Sequence, residues 1–386
     1  MIFPVGDSPN PRGTPWVNYA LIAANVLVYV LVSLPLSGRG VDPADPALRE
    51  YLRVVTEDGG RPIPIHVVLE ETSAYDLFVF KWGFRPAEAS VVTLFTSMFL
   101  HGGFLHLFGN MLFLWIYGDN VEFRLGRLPY LLWYLATGAA ATFFFLIFDV
   151  NSPLPLVGAS GAISGVLGFY FLFFPRNRVK LWFFFFPFIM DVLYVPARIV
   201  LGFYLLFDNL LPFLVARGPA MGGVAHGAHI GGFVAGLAVA FFLDRRSISA
   251  RPEGAPRAEG RIAGDARAAI AERISEGDAA GAAAAYFSVD PDETRRLLAP
   301  GDALVLADWL ARNGHPKAAL VVLRRHMRDY PRGPLSAEAH VAAGEVFLHA
   351  LHQPTTAYQH FLDALDLDPA PETAARARAY LAEIAR

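Results

Sequence analysis

Residues 150–175 read VNSPLPLVGASGAISGVLGFYFLFFP and contain no Asp, Glu, Lys or Arg. A helix rises ~1.5 Å per residue, so about 20 mostly apolar residues cross a hydrocarbon core of ~30 Å, and this stretch is long enough to span a bilayer. Within it, residues 157–165 read VGASGAISG, with serines at 160 and 164 and glycines at 158, 161 and 165. Lipid gives such residues nothing to do. They belong where a helix presses against another helix or carries a reactive group.

The same composition recurs on either side. Residues 16–36, 128–148 and 218–243 lack all four charged types, and 89–118 lacks them while holding His101 and His106. Residues 198–216 are interrupted only by Arg198 and Asp208. These six blocks predict six membrane spans. Residues 181–195, apolar but broken by Pro187 and Asp191, are expected to form a surface or re-entrant connection. A hydrophobic content of 54% and a mean hydropathy of +0.39 agree with a bilayer protein. The net charge of −3 offers no basic surface for nucleic acid. The chain has no cysteine, which removes disulfides and thiolate nucleophiles.

Basic residues favour the cytoplasmic side of a membrane. Arg124 and Arg127, then Arg176, Arg178 and Lys180, then Arg245 and Arg246 fall in alternate connections, so both termini are expected to be cytoplasmic. The connection 37–88 then lies outside, folded in part on the outer surface. The N-terminus lacks signal-peptide features, so the first apolar block is expected to stay as an anchor. The expected compartment is a bacterial inner (cell) membrane.

Past residue 243 the character changes. Residues 244–266 are rich in Arg, Gly and Pro and read as a linker. Residues 267–386 show helical periodicity, with helix openings at Gly277-Asp278, Gly314-His315 and His352-Gln353. Pro316 and Pro331 recur as Pro354 and Pro369, an offset of 38 residues. Such a period suggests stacked helical hairpins, with a plain helical bundle as the alternative. This part resembles a tetratricopeptide-type (TPR-like) array, soluble and cytoplasmic, whose expected role is to bind a protein partner. The expected domains are thus 1–243 in the membrane, 244–266 as linker and 267–386 as helical repeat.

Polar side chains within the spans narrow the function. They are His101, His106 and Asn110 in the second span, Ser160 and Ser164 in the fourth, and His226 and His229 in the sixth. His106 and Asn110 are four apart and share a helix face. His229, Gly232 and Gly236 also share one, and Gly161 with Gly165 makes a small-xxx-small pair that lets backbones approach. A close fourth and sixth helix brings Ser160 to His229. A serine hydroxyl needs a base within hydrogen-bond reach, which a neutral histidine supplies. Attack on an amide also needs donors for the oxyanion, and His106, Asn110 and the Ser160 N–H are candidates. Ser164, one turn deeper, is expected to bond back to its own helix.

Four features taken together resemble the rhomboid family of intramembrane serine proteases. They are His106-x-x-x-Asn110, Gly118…Val121-Glu122…Leu125-Gly126, Gly158-x-Ser160-Gly161, and Ala228-His229-x-x-Gly232-x-x-x-Gly236. The resemblance implies an all-α, six-helix membrane bundle. It implies Ser160 as nucleophile and His229 as general base without a third acid, His106 and Asn110 at the oxyanion, and single-span membrane proteins as substrates. It also implies structural roles for His101, Glu122 and Arg124. No metal or cofactor is expected. Many relatives carry an aromatic residue four positions after the nucleophile, where this chain has Ser164, so His229 is expected to be less firmly oriented. The Trp-Arg pair that many members carry in the first loop is also missing.

Other readings carry less weight. Ser160 as a plain packing residue does not account for the histidines. His226 is a poorer base than His229, because the glycine seam is in phase with His229. The four outer histidines have no H-E-x-x-H motif and no carboxylate within a turn, which argues against zinc. Asp191 and Asp208 raise a transporter reading, but the membrane region has no inverted repeat. A catalytically silent scaffold that binds membrane clients remains the alternative, although nucleophile and base are both present.

Overall fold

A computed structural model describes residues 2–11, 13–58, 65–185, 189–215, 225–249, 266–289, 296–333 and 335–385. The chain divides into two compact units. The first comprises Met1–Asp7, Thr14–Phe173 and Arg178–Ala240, and the second Ser8–Gly13, Phe174–Asn177 and Phe241–Arg386.

In the first unit, strand β1 (Ile2–Ser8) precedes α1 (Trp16–Val28), which continues through a π-helical turn to Ser37. Three helices fill the long connection: α2 (Pro46–Asp58), α3 (Ile65–Glu71) and α4 (Ala74–Trp82). Arg85 ties this connection together, bonding Glu50 and Glu88 at 2.5 Å each. The bond from Arg85 holds the Glu50 carboxyl below the usual carboxylate range. Next come α5 (Val91–Thr96), α6 (Phe104–Leu125), α7 (Arg127–Leu146) and α8 (Ser160–Phe173). Strands β2 (Arg178–Phe185) and β3 (Ile189–Pro196) lead into α9 (Ala197–Phe203), prolonged by a π-helical stretch Tyr204–Leu210 and by Leu211–Val215. The last element, α10, spans His226–Ser249.

Among the described residues, four helices are long and apolar enough to cross a membrane: Trp16–Ser37, Arg127–Leu146, Ala197–Val215 and His226–Arg245. Their outward side chains, among them Leu31, Leu132, Phe143, Ile199, Phe203 and Val234, are exposed, as lipid-facing residues must be. The expected second span, 89–118, is broken: Val91–Phe99 and Phe104–Leu125 meet at 89°. Gly102 and Gly103 stand at the break and allow it. The expected fourth span, 150–175, is helical only from Ser160, because Pro153, Pro155 and the positive φ of Gly158 (120°) keep the preceding chain extended.

Two sequence expectations are corrected by strands. Residues 181–195 form part of a hairpin, with β2 and β3 antiparallel from Arg178↔Pro196 to Phe185↔Ile189. Aromatic and β-branched residues on both arms favour this over a helix. With β1 they make a three-stranded sheet in the order β1-β2-β3, so the fold is mostly helical rather than all-α. The expected linker 244–266 also changes. Residues 244–249 belong to α10, and 250–265 lie outside the described residues.

Buried polar contacts fix α1 and β1 against the site helices. The Glu122 carboxylate, buried near the end of α6, accepts from the N–H groups of Val17 (3.2 Å) and Asn18 (2.7 Å). Those donors have no acceptor inside their own helix, and an anion suits a helix N-terminus. Asp7 of β1, also buried, accepts from Asn120 Nδ2 at 2.9 Å and from the Tyr170 hydroxyl of α8. The structural role expected of Glu122 has a cause here: it caps α1.

The second unit is helical: α11 (Ala266–Ser275), α12 (Ala279–Ser288), α13 (Pro300–Arg312), α14 (Pro316–Asp329), α15 (Ser336–Glu345), α16 (Pro354–Leu365) and α17 (Pro371–Ile384). Successive helices pack against one another around a core that includes Tyr286, Leu310, Phe347 and Phe361. The 38-residue offset read from the prolines has a structural counterpart. Pro316 and Pro354 each begin a helix, and Gly314 (φ 79°) and His352 (φ 53°) each precede one in the left-handed region.

Candidate active site

Ser160 is the first residue of α8, where backbone N–H groups lack helical acceptors and favour negative charge. Gly158 sets the approach to it. Its N–H donates to the Ser97 carbonyl at 2.9 Å. A Cβ at its position would lie 2.8 Å from the His106 ring, so conformation and space both require glycine.

His229 lies in the first turn of α10, and the seam below it holds this helix against α8. A Cβ at Gly232 would fall 2.1 Å from the Gly161 carbonyl oxygen, and one at Gly236 would fall 2.0 Å from that of Gly165. Backbone meets backbone there. The consequence is a distance of 2.7 Å between His229 Nε2 and Ser160 Oγ.

The other imidazole nitrogen is held as well. His229 Nδ1 lies 2.6 Å from Asn209 Oδ1, and Asn209, itself buried, donates from Nδ2 to the Tyr204 carbonyl at 2.9 Å. With the amide nitrogen so engaged, the Asn209 oxygen accepts a proton-bearing Nδ1. Nε2 then presents its lone pair to the serine hydroxyl. Tyr204 adds an aromatic wall, its ring 6.5 Å from that of His229 and inclined at 29°. Its hydroxyl lies 3.0 Å from Ser164 Oγ.

These contacts correct two expectations. Ser164 pairs across to Tyr204, in the π-helical extension of α9, instead of bonding back to its own helix. His229 is well oriented, because Tyr204 and Asn209 both approach it from that extension. A π-helical turn widens the spacing of side chains and is frequent at functional sites. Asn209 is discoverable as a polar residue in an apolar run, but its charged neighbour Asp208 is the more conspicuous of the two. Asp208 is exposed, as is Asp191, whereas Asn209 is 1% exposed.

His106 and Asn110 line a cavity of about 640 Å³ together with Ser160, Gly161, His229 and Tyr204. Asn110 Nδ2 is buried without a hydrogen-bond partner among the described residues. Such a donor is costly unless something arrives to accept from it. His101 is fully buried outside the cavity lining, with its ring edge-on to His106 at 5.1 Å. His226 also stays off the lining, its ring 6.5 Å from that of His229. The cavity therefore gathers a hydroxyl, an imidazole, a spare amide donor and apolar walls.

A rhomboid domain model matches residues 88–246. Rhomboid protein 1, mitochondrial, of Saccharomyces cerevisiae is 30% identical over 162 residues, which is 40% of this chain and 43% of that protein. Rhomboid protease GluP of Bacillus subtilis is 35% identical over 150 residues, 39% of this chain and 25% of that protein. RHOMBOID-like protein 6, mitochondrial, of Arabidopsis thaliana is 27% identical over 161 residues, 40% of this chain and 50% of that protein. The matched stretch thus spans half or less of each relative. No solved structure matches the chain. Mitochondrial and bacterial proteins both occur among the relatives, so the match does not select the bacterial inner membrane expected above. Residues 88–246 carry the match and contain the whole cavity lining, and their apolar helices make the chain a multi-pass integral membrane protein. Over residues 88–246 it carries a rhomboid domain, and the relatives that match this stretch are rhomboid proteins.

Proposed function

We propose that this chain is an intramembrane serine endopeptidase that cuts single-span membrane proteins in or near their transmembrane segment. The observation that carries this reading is the 2.7 Å approach of His229 Nε2 to Ser160 Oγ inside a cavity that Asn110, with its unpaired Nδ2 donor, also lines. In the proposed reaction the Ser160 oxygen attacks the scissile carbonyl while His229 takes its proton. His106, Asn110 and the Ser160 N–H hold the oxyanion. His229 then protonates the leaving amine, and a water admitted by the cavity hydrolyses the acyl-serine. No metal or cofactor takes part. Asn209 acts as a positioning residue, since it bonds the histidine and the Tyr204 carbonyl but not Ser160.

We also propose a six-span arrangement, in which the bent α5–α6 segment and the short α8 count as spans and both termini face the cytoplasm. The second unit, read as a TPR-like array, would bind a cytoplasmic protein partner; helical hairpins support this and nothing in them names the partner.

The test is cleavage of a single-span substrate in liposomes, run beside labelling with a serine-reactive fluorophosphonate. Wild type cleaves and is labelled. Ser160→Ala loses both, and His229→Ala loses cleavage. Folded wild-type protein that shows neither signal would sink the protease and leave the silent client-binding scaffold.

A further inference from the structure

We propose that His340, His360 and Asp363 of the second unit form a binding site for a zinc-type divalent ion, independent of the Ser160–His229 chemistry. One ligand atom from each residue lies within 4.8 Å of the other two. His340 Nδ1 is 3.2 Å from His360 Nδ1 and 3.8 Å from Asp363 Oδ2. An ion with tetrahedral bonds of about 2.0–2.1 Å keeps its ligand atoms roughly 3.3–3.4 Å apart. The two measured separations bracket that value.

Helix geometry explains the grouping. His360 and Asp363 are three apart on α16 and share a face, while His340 reaches them from the neighbouring α15. Two Nδ1–H donors cannot face each other at 3.2 Å, so at least one of the two Nδ1 atoms turns a lone pair into the space between them. With both rings protonated at Nε2, two lone pairs and a carboxylate oxygen converge there. Stacking of the His360 ring on Phe347, at 5.3 Å and 13°, fixes its direction.

The carboxylate is oriented in the way metal ligands commonly are, by a second bond on its other oxygen. Asp363 Oδ1 accepts from Arg176 at 2.9 Å, which leaves Oδ2 turned toward His340. Arg176 bonds Asp366 as well. Two carboxylates against one guanidinium leave a net negative charge to meet a dication. The Asp363 side chain is 38% exposed and that of His340 18%, so an ion can enter and keep a water as its fourth ligand. Two nitrogens and one oxygen suit zinc, nickel or copper better than magnesium or calcium.

The experiment titrates Zn²⁺ into the purified, untagged full chain in detergent, in competition with a chromophoric chelator. We expect wild type to bind with a Kd tighter than about 10 µM. His340→Gln and Asp363→Asn should each weaken that by at least ~10-fold, whereas His349→Gln, outside the cluster, should leave it unchanged. Undiminished binding in both cluster variants overturns the site, as does a wild type that binds no zinc in this range. Co²⁺ added to wild type needs no variant: strong visible bands of a four-coordinate ion, displaced by Zn²⁺, support the site, and a weak six-coordinate spectrum overturns it.

Discussion

The seam between α8 and α10 and the seam between α15 and α16 both contain glycine, and they use it for different ends. In the membrane unit, Gly232 and Gly236 face the carbonyl oxygens of Gly161 and Gly165. In the helical unit, Gly344 faces the ring of Phe361, its would-be Cβ 2.4 Å from that side chain. One seam brings backbones together, and the other makes room for a buried aromatic. The lipid around the first unit and the aqueous setting proposed for the second account for the contrast. Lipid tails are as apolar as leucine, so membrane helices gain from close backbone packing and hydrogen bonds. Water rewards the burial of Phe361 itself.

The contrast is broken most directly at the buried aromatic, where the greatest loss is expected. Phe361 is fully buried and stacks on Tyr380 at 5.0 Å, so Phe361→Ala should destabilise the second unit by about 3–5 kcal/mol in a denaturation experiment. Leu31→Ala, on a 67% exposed residue of the membrane unit, should move thermal stability little. Equal losses from the two would refute the contrast. Next comes the backbone seam. Gly236→Ala puts a methyl group 2.0 Å from a carbonyl oxygen that cannot turn aside, so α8 and α10 must separate. A shift of 1 Å at reacting groups costs ~100-fold, and proteolysis should fall by about that factor or more. Gly202→Ala, where nothing lies within 4 Å, is the matched control and should retain activity.

A third test concerns the residue that holds His229. Asn209→Ala leaves Ser160 and His229 in place but frees the imidazole to rotate or to change tautomer. The expected loss is ~10–100-fold in kcat with KM little changed, because Asn209 touches no substrate. A loss confined to KM, or no loss, would make Asn209 a packing residue.

What can be read from sequence follows the same division. Ser160, His229, His106 and Asn110 are legible because each is a polar residue in an apolar run at helical spacing from a glycine seam or from one another. Asn209 is visible only as a polar residue beside the more conspicuous Asp208, and neither it nor Tyr204 can be placed at the histidine, because a π-helical stretch shifts the phase on which spacing arguments rest. The strands at 178–196 escape for a related reason: an aromatic run beside the membrane satisfies hairpin and helix alike when only its hydropathy is counted. In the helical unit the 38-residue offset is visible through its prolines, while the cluster of His340, His360 and Asp363 joins two helices and has no linear signature.

The smallest effect sharpens the comparison within the helical unit itself. Gly314 and His352 occupy corresponding positions 38 residues apart, each with positive φ before a helix that begins with proline. Only glycine adopts that conformation without a steric cost, which for an ordinary residue is roughly 1–2 kcal/mol. His352→Gly should therefore stabilise the second unit, but glycine also adds freedom to the unfolded chain and returns part of the gain. A net increase of about 0.5–1 kcal/mol is expected from chemical denaturation. Gly314→His should lose a similar amount or more. If His352→Gly destabilises instead, the imidazole contributes contacts that outweigh its backbone strain, and the two hairpins are not interchangeable copies of one turn.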